Sequence, residues 1–214
     1  MDNMWKDIIL QAAVFLLIIV VFLLIHNIPQ KLISKIRYRD RPVHQAKRHF
    51  VNGAQLLAQA RSSKDRSAVD SLAKSAESEA DKAIAIDPTD AASHILKALA
   101  LELQGFKTSA LDSIDISLSP LAVKSLEENE RGDALLKRAE LRLAVSRRGQ
   151  IDSVVQDLVE SVRLKNDNAK AYFLLGECYE KKSMREEART AYEDAIRVEP
   201  KYKVAREALD RLGS

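Results

Sequence analysis

Apolar side chains follow two patterns along the chain: an uninterrupted run near the N-terminus and a helical period through the remainder. Between residues 8 and 25 the only polar side chain is Gln11, and residues 12–25 read AAVFLLIIVVFLLI. Extended to residue 28, the run forms a helix of about 31 Å, close to the roughly 30 Å hydrocarbon core of a bilayer. It has no polar face, which a helix buried in a soluble domain would present. The pattern predicts one transmembrane helix over residues 8–28.

A cleavable signal peptide also contains an apolar segment near the N-terminus. Its apolar core is about 7–15 residues long, follows a basic start and ends in small residues at the cleavage site. Here the start carries Asp2, Lys6 and Asp7, and the residues after the run read HNIPQ, without an Ala-x-Ala pattern. These departures favour a retained signal anchor.

Basic residues cluster directly after the apolar run, whereas only Lys6 precedes it. The cluster contains Lys31, Lys35, Arg37, Arg39, Arg41, Lys47 and Arg48. By the positive-inside rule, residues 30–214 lie in the cytosol, residues 1–7 form a short non-cytosolic N-terminus, and residues 29–42 form a basic juxtamembrane linker. Two interpretations stay open: a topology signal alone, or additional contact with anionic lipid headgroups, worth about 1 kcal/mol per basic residue near the surface.

The composition favours helices and argues against nucleic-acid binding. With 6 Gly and 5 Pro, few positions force a turn. The net charge of +3 is uneven, because residues 1–48 hold 8 basic and 3 acidic side chains and the remainder holds 26 and 28. A duplex-binding domain needs a basic surface. A single-strand binder needs aromatic stacking residues, and aromatic residues make up 5% of this chain.

Internal repetition is clearest in residues 169–200, AKAYFLLGECYEKKSMREEARTAYEDAIRVEP. Counted from Ala169, positions 4, 7, 8, 11, 20, 24, 27 and 32 are Tyr172, Leu175, Gly176, Tyr179, Ala188, Tyr192, Ala195 and Pro200. The large residues share one face of each of two helices, small residues stand where the helices cross, and the proline ends the second helix. This segment resembles a tetratricopeptide repeat (TPR) at each of these eight diagnostic positions.

Weaker copies of the pattern precede this segment. The predicted helix pairs are residues 43–88, 91–124, 133–168 and 169–202, followed by a capping helix over residues 203–214. The first pair has an uncertain register, since its loop RSSKDRS is longer than usual. The resemblance implies an all-α, TPR-like helical-hairpin solenoid, a right-handed superhelix, preceded by one N-terminal transmembrane helix. Solenoids need a terminal cap because the end repeat would otherwise expose its apolar face.

The sequence shows no constellation of catalytic or metal-binding residues. It lacks a phosphate-binding glycine loop, zinc-ligand spacing and a serine nucleophile elbow. His44 and His49 are five residues apart, which is too far around a helix for a metal pair. Cys178, the only cysteine, is interpreted as a small core residue, with a reactive thiol as the alternative. We expect no enzymatic activity, no cofactor and no metal.

The TPR resemblance implies a concave groove lined by the first helix of each pair. The lining residues that it implies are Ile95, Leu99, Glu102 and Leu103 in the second pair, and Lys170, Phe173, Glu177, Glu180 and Lys181 in the last. A carboxylate clamp for acidic chaperone tails is not expected, because Phe50, Ala54 and Leu96 replace its polar residues. The apolar stripe on the second pair suits a helical or extended segment of a partner protein. Alternatively, it packs on a neighbouring helix of this chain.

Anchor and groove together indicate a membrane-tethered adaptor or scaffold that binds a protein partner. Two alternatives stay open: a protein-targeting receptor on an organelle outer membrane, and a structural subunit of a membrane protein complex. The strongly apolar anchor favours the endoplasmic reticulum or a later secretory membrane over a mitochondrial or plastid outer membrane. A bacterial inner membrane is also compatible with the sequence, which does not identify the partner.

Overall fold

The computed structural model of the chain describes residues 2–25, 28–145 and 151–213, without the side chains at positions 2–4, 6–8, 10, 23–25 and 28–41. In these residues it contains ten α-helices and one 3-10 helix, Ala122–Ser125. The α-helices, α1 to α10 in chain order, are Asp2–Ile25, Ile28–Ser62, Arg66–Ile86, Ala91–Leu103, Lys107–Ser117, Glu128–Val145, Ile151–Leu164, Ala169–Lys181, Arg185–Val198 and Lys203–Gly213. This content confirms the predicted all-α fold.

The chain divides into two units, Met1–Gln45 and Ala46–Ser214. In the first unit, the apolar side chains of residues 14–22 on α1 are exposed. The predicted membrane span, residues 8–28, includes positions 26 and 27 and several side chains that lie outside the described residues. Within the part of the chain that the structure describes, no helix is both long enough and apolar enough to cross a membrane.

The second unit is a TPR-like helical-hairpin solenoid. From α3 to α10 each helix packs against the next one in the sequence. At the N-terminal end, Leu57 of α2 packs with Ala76 and Ala80 of α3. The helices therefore form the pairs α2–α3, α4–α5, α6–α7 and α8–α9, and α10 packs against α9.

Side-chain caps fix where several helices begin. Asp65, Asp90 and Asn168 have extended backbones, and their side chains accept hydrogen bonds from the first free N–H groups of α3, α4 and α8. A cap of this kind stabilises a helix by about 1 kcal/mol. The starts of three helices are thus specified locally.

Three boundaries differ from the sequence-based prediction. Helix α2 begins at Ile28, well before the predicted start at residue 43, and its loop to α3 is shortened to residues 63–65. Helix α6 begins at Glu128 instead of residue 133. There the Glu130 carboxylate accepts the N–H of Glu127 at 3.0 Å, and acidic residues in a first turn favour helix formation.

Candidate partner-binding groove

The first helices of three successive pairs enclose an apolar groove of about 470 Å³, here called the α2–α4–α6 groove. Its apolar lining residues are Phe50, Ala54, Leu57 and Ala58 of α2, Ala92, Ile95, Leu96 and Leu99 of α4, Leu126 before α6 and Ala134 of α6. Its charged lining residues are Arg61, Glu130, Asp133 and Lys137. An apolar concavity with a few charged groups is the usual form of a ligand site.

Close packing of α2 on its neighbours forms the floor of the groove. Leu57 and Leu96 belong to one buried cluster. A Cβ on Gly53 would lie 2.8 Å from Cδ2 of Leu96 and 3.2 Å from the carbonyl oxygen of Ala76. The absence of a side chain at position 53 therefore allows this close approach of α2 to α3 and α4.

An ion-pair ladder joins the first helices α4, α6 and α8. The Lys137 ammonium lies 3.2 Å from Glu102 and 2.5 Å from Glu140, and Lys170 lies 2.5 Å from the other oxygen of Glu140. Burial alone would raise the pKa of Glu140, but hydrogen bonds from the two lysines outweigh it and lower that pKa. The ladder fixes the relative positions of successive first helices.

The charges lining the groove differ in how far they are neutralised. Asp133 pairs with Lys165 at 2.7 Å, and Lys137 is held in the ladder. Glu130 accepts only a backbone hydrogen bond, from Glu127. No ion pair in the described residues involves Arg61. One cation and one anion at the groove thus lack a counter-ion within the described residues.

The residues of the predicted apolar stripe on the second pair differ in whether they line the groove. Ile95 and Leu99 line the α2–α4–α6 groove. Leu103, in contrast, packs with Leu99 against the buried cluster formed by α2, α3 and α4, and Glu102 is committed to Lys137. Both interpretations therefore apply: Leu103 packs on the chain itself, whereas Ile95 and Leu99 line the groove and also pack against buried clusters.

The predicted groove residues of the last pair are engaged largely by the chain itself. The Phe173 ring lies 5.7 Å from that of Tyr192 and 5.8 Å from that of Tyr202, measured between centroids. The Glu180 carboxylate accepts the Tyr192 hydroxyl and lies 2.7 Å from Arg211. Because Tyr202 and Arg211 belong to or adjoin α10, the terminal helix occupies this surface. Of the remaining residues, Glu177 is half-buried, Lys181 is exposed and Lys170 pairs with Glu140.

The eight diagnostic TPR positions lie on α8 and α9 and directly after α9. Leu175 packs in the cluster shared with α6 and α7, and Tyr192 packs in the cluster shared with α10. Ala188, Tyr192 and Ala195 are fully buried, and Leu175 is 6% exposed. Tyr172 and Tyr179 pack at the edge of the cluster that contains Tyr192. Gly176 is buried, and Pro200 is exposed after α9. Of the basic residues after the apolar run, Lys47 and Arg48 are exposed, and the side chains of Lys31, Lys35, Arg37, Arg39 and Arg41 lie outside the described residues.

The side chains of His49, His94 and Cys178, which could in principle act in catalysis, are hydrogen-bonded or buried. The His49 ring bonds to Glu79 at 2.7 Å, and that of His94 to the Pro88 carbonyl at 3.0 Å. Burial raises the pKa of the Cys178 thiol, which disfavours the reactive thiolate. The described residues contain no group of His, Cys, Asp or Glu side chains that could hold a metal ion.

The sequence placed Phe50 and Ala54 at clamp positions of the first pair, but it did not identify the other α2 lining residues, Leu57, Ala58 and Arg61, or the charged lining residues of α6. Phe50, Ala54, Leu57 and Arg61 recur at helical spacing along one face of α2. That period was a usable signal, because residues three and four apart share a helix face. The α6 residues Glu130 and Asp133 were not identified because the third pair was predicted to begin only at residue 133, whereas α6 begins at Glu128.

Comparison with known proteins agrees with this geometry. Residues 169–202 match the family model for the tetratricopeptide repeat. A crystal structure of MamA protein is 15% identical with a TM-score of 0.62, covering 78% of this chain and 80% of that one. The structure "MamA 41-end from Desulfovibrio magneticus RS-1" is 17% identical with a TM-score of 0.61, covering 78% and 83%.

The APC/C hetero-tetramer Cut9–Hcn1 gives 14% identity and a TM-score of 0.59, covering 89% of this chain and 34% of that one. At these identities the similarity establishes the fold alone. No curated protein matches the chain significantly.

Proposed function

We propose that this chain is a membrane-anchored, non-enzymatic scaffold that binds a partner protein in the α2–α4–α6 groove. The observation that carries the proposal is the groove itself, whose apolar lining comes from the first helices of three successive pairs. TPR-like solenoids present these helices side by side on one surface, so a partner segment can contact all three. Burial of apolar surface would supply most of the binding free energy, at about 25 cal/mol per Å².

The proposed anchor is α1 with the residues that follow it. Residues 14–22 are all apolar and between 42% and 70% exposed, and nine consecutive residues make about two and a half helical turns. Apolar side chains therefore point outward on every side of the helix. Such a surface is costly in water and favourable in lipid. Together with the apolar run over residues 8–28, this supports a single membrane span.

The basic cluster after the run supports an orientation with the helical repeats in the cytosol. We propose the endoplasmic reticulum or a later secretory membrane as the location, since the run is strongly apolar. Contact of the basic residues with anionic headgroups is part of the same proposal. Tethering would raise the effective concentration of a partner at that membrane, so that modest affinity suffices.

Proximity labelling from the C-terminus tests the scaffold role. Leu99→Glu places a charge in the groove, and Val159→Glu is the matched control, because Val159 is 43% exposed on α7 outside the groove. We expect a set of proteins labelled by the wild type and by the Val159 variant but not by the Leu99 variant. Identical labelling by all three, with equal helicity by circular dichroism, would exclude binding in this groove.

A further inference from the structure

We infer that the occupant of the α2–α4–α6 groove is an amphipathic α-helix of the partner, with an acidic residue facing Arg61 and a basic residue facing Glu130. The inference rests on the proposed function and narrows it, since the sequence alone left a helical and an extended segment equally open.

The lining of the groove is unsuited to an extended peptide. None of the described lining residues is Ser, Thr, Asn, Gln, Tyr or His, so no neutral polar side chain is placed to bond a peptide backbone. Apart from groups that reach the charged side chains such as Arg61 and Glu130, an extended segment would bury its N–H and C=O groups against apolar side chains, at about 1–3 kcal/mol for each. An α-helix satisfies these groups internally except at its ends. A helical occupant therefore avoids the penalty that an extended one incurs.

The size and shape of the groove suit one face of a helix. Its volume of about 470 Å³ is large enough for a few apolar side chains but not for a whole helix about 10 Å across. Small residues, Ala54, Ala92 and Ala134, leave room between the larger Leu57, Ile95 and Leu99. An occupant with apolar residues at i, i+3, i+4 and i+7 presents matching ridges.

The charges of the lining give the occupant a direction. Lys137 and Asp133 are already neutralised by Glu102, Glu140 and Lys165. Arg61 and Glu130 have opposite charges, stand on different helices, α2 and α6, and have no ion-pair partner among the described residues. Complementary charges on an occupant fix its orientation more than they add affinity. The favoured helix carries a carboxylate on one flank and an ammonium or guanidinium on the other.

Selection from a library of random peptides of about 16 residues, enough for four helical turns, tests this inference. The bait is the whole chain in lipid nanodiscs. Ala58→Glu obstructs the groove at an exposed position that leaves the core intact, and Ala85→Glu is the matched control on an exposed site of α3 outside the groove. We expect enriched peptides with helical apolar spacing that bind the Ala58 variant about tenfold more weakly and bind the Ala85 variant normally.

Charge-reversed baits test the direction. With Arg61→Glu the acidic position of the enriched peptides should become basic, and with Glu130→Arg the basic position should become acidic. An unchanged consensus on both baits would refute the charge assignment.

The remaining outcomes separate this inference from the proposed function. Enrichment of proline-rich peptides, or of peptides with alternating apolar residues, would overturn the helical occupant while leaving the groove as a binding site. No enrichment over the Ala58 variant would overturn both. Self-association of the bait that the Ala58 substitution abolishes and that peptides cannot displace would assign the groove to a second copy of this chain and overturn the inference.

Discussion

Small residues at helix crossings set how closely the pairs in this molecule approach. A Cβ on Gly132 would lie 2.9 Å from Cβ of Lys165, and one on Gly176 would lie 2.5 Å from Cε1 of Tyr192. Both distances are shorter than ordinary contacts between carbon atoms, about 3.5–4.0 Å. Gly53 of the first pair has equally close neighbours. In the first, third and fourth pairs, therefore, a glycine lies where any side chain would force the helices apart.

Gly176→Ala should destabilise the last helix pair. The added methyl group would meet the ring of Tyr192, which is fully buried and bonded through its hydroxyl to Glu180, so the ring has little freedom to move. Overpacking of this kind costs about 1–3 kcal/mol, more than alanine gains in helix propensity. Urea denaturation followed by circular dichroism measures the change. Gly213→Ala, with no atom near its Cβ position, should leave the midpoint unchanged or raise it slightly.

Glu140 should make the stability of the unit depend on pH below its ordinary pKa of 4.5. Burial raises the pKa of this carboxyl, but hydrogen bonds from Lys137 and Lys170 lower it overall. The stabilisation is therefore fully present above pH 4.5 and is lost as the pH falls through the folded-state pKa. Glu140→Gln should flatten the dependence of the denaturation midpoint on pH in that acidic range. A variant at the exposed Glu193, Glu193→Gln, should keep the wild-type slope; equal slopes in all three proteins would contradict this role.

Between helices, a buried ion cluster joins the second pair to the third. The Asp157 side chain on α7 is 5% exposed, and it lies 2.5 Å from Arg138 and 2.7 Å from Arg142 of α6. Both arginines also reach Asp115 of α5, at 3.3 and 3.4 Å. Through the two arginines of α6, the Asp157 carboxylate thus links α7 to α5, and so joins the third pair to the second.

Asp157→Ala should be strongly destabilising, by about 3–5 kcal/mol, because it leaves two partly buried guanidinium groups without their main counter-ion. Asp152→Ala is the matched control on the same helix. Asp152 is 80% exposed in its ion pair with Lys182, and exposed pairs contribute little. Thermal unfolding should show a large loss for the first variant and none for the second. If both variants unfold at the same temperature, the cluster does not join the pairs as argued.

The helices that the sequence predicted well are those whose pattern is dictated by local packing. Tyr192 requires a glycine opposite it, so Gly176 and its spacing identify the last pair directly. The extension of α2 to Ile28 was hidden by Pro42, which removes one N–H inside the helix and usually indicates a helix boundary. The early start of α6 depends on a contact between Glu127 and Glu130, for which the repeat pattern gives no signal.

The groove could be predicted only where the register was certain. Ile95 and Leu99 followed from the alignment of the second pair with the last. Arg61 was missed because the register of the first pair was open. Leu103 and Phe173 were predicted to face a partner but pack on helices of this chain, and tertiary contacts of that kind are not contained in a repeat pattern.

As a whole, the chain presents two apolar surfaces of different kinds. On α1, residues 14–22 are exposed on all sides, whereas the α2–α4–α6 groove is a small concave site bordered by charges. A surface that is apolar all round suits lipid, which has no preferred direction around a helix. A concave site with two uncompensated charges suits a directional contact with a protein. The proposed scaffold role follows from this difference.

Removing residues 1–30 should release the chain from membranes. We expect the full chain to stay in the membrane pellet after extraction with high salt and with alkaline carbonate, because the proposed burial of α1 in lipid would not depend on surface charge. The deletion variant should move to the supernatant with its helical circular dichroism intact. Leu17→Arg tests the span without shortening the chain, since an arginine at the centre of a transmembrane helix costs about 2.5–3.5 kcal/mol of insertion free energy. Lys6→Arg, which keeps the charge before the run, is its control. Release of the full chain by salt alone would show that the basic cluster holds it at the membrane surface, and would remove the anchor from the proposal.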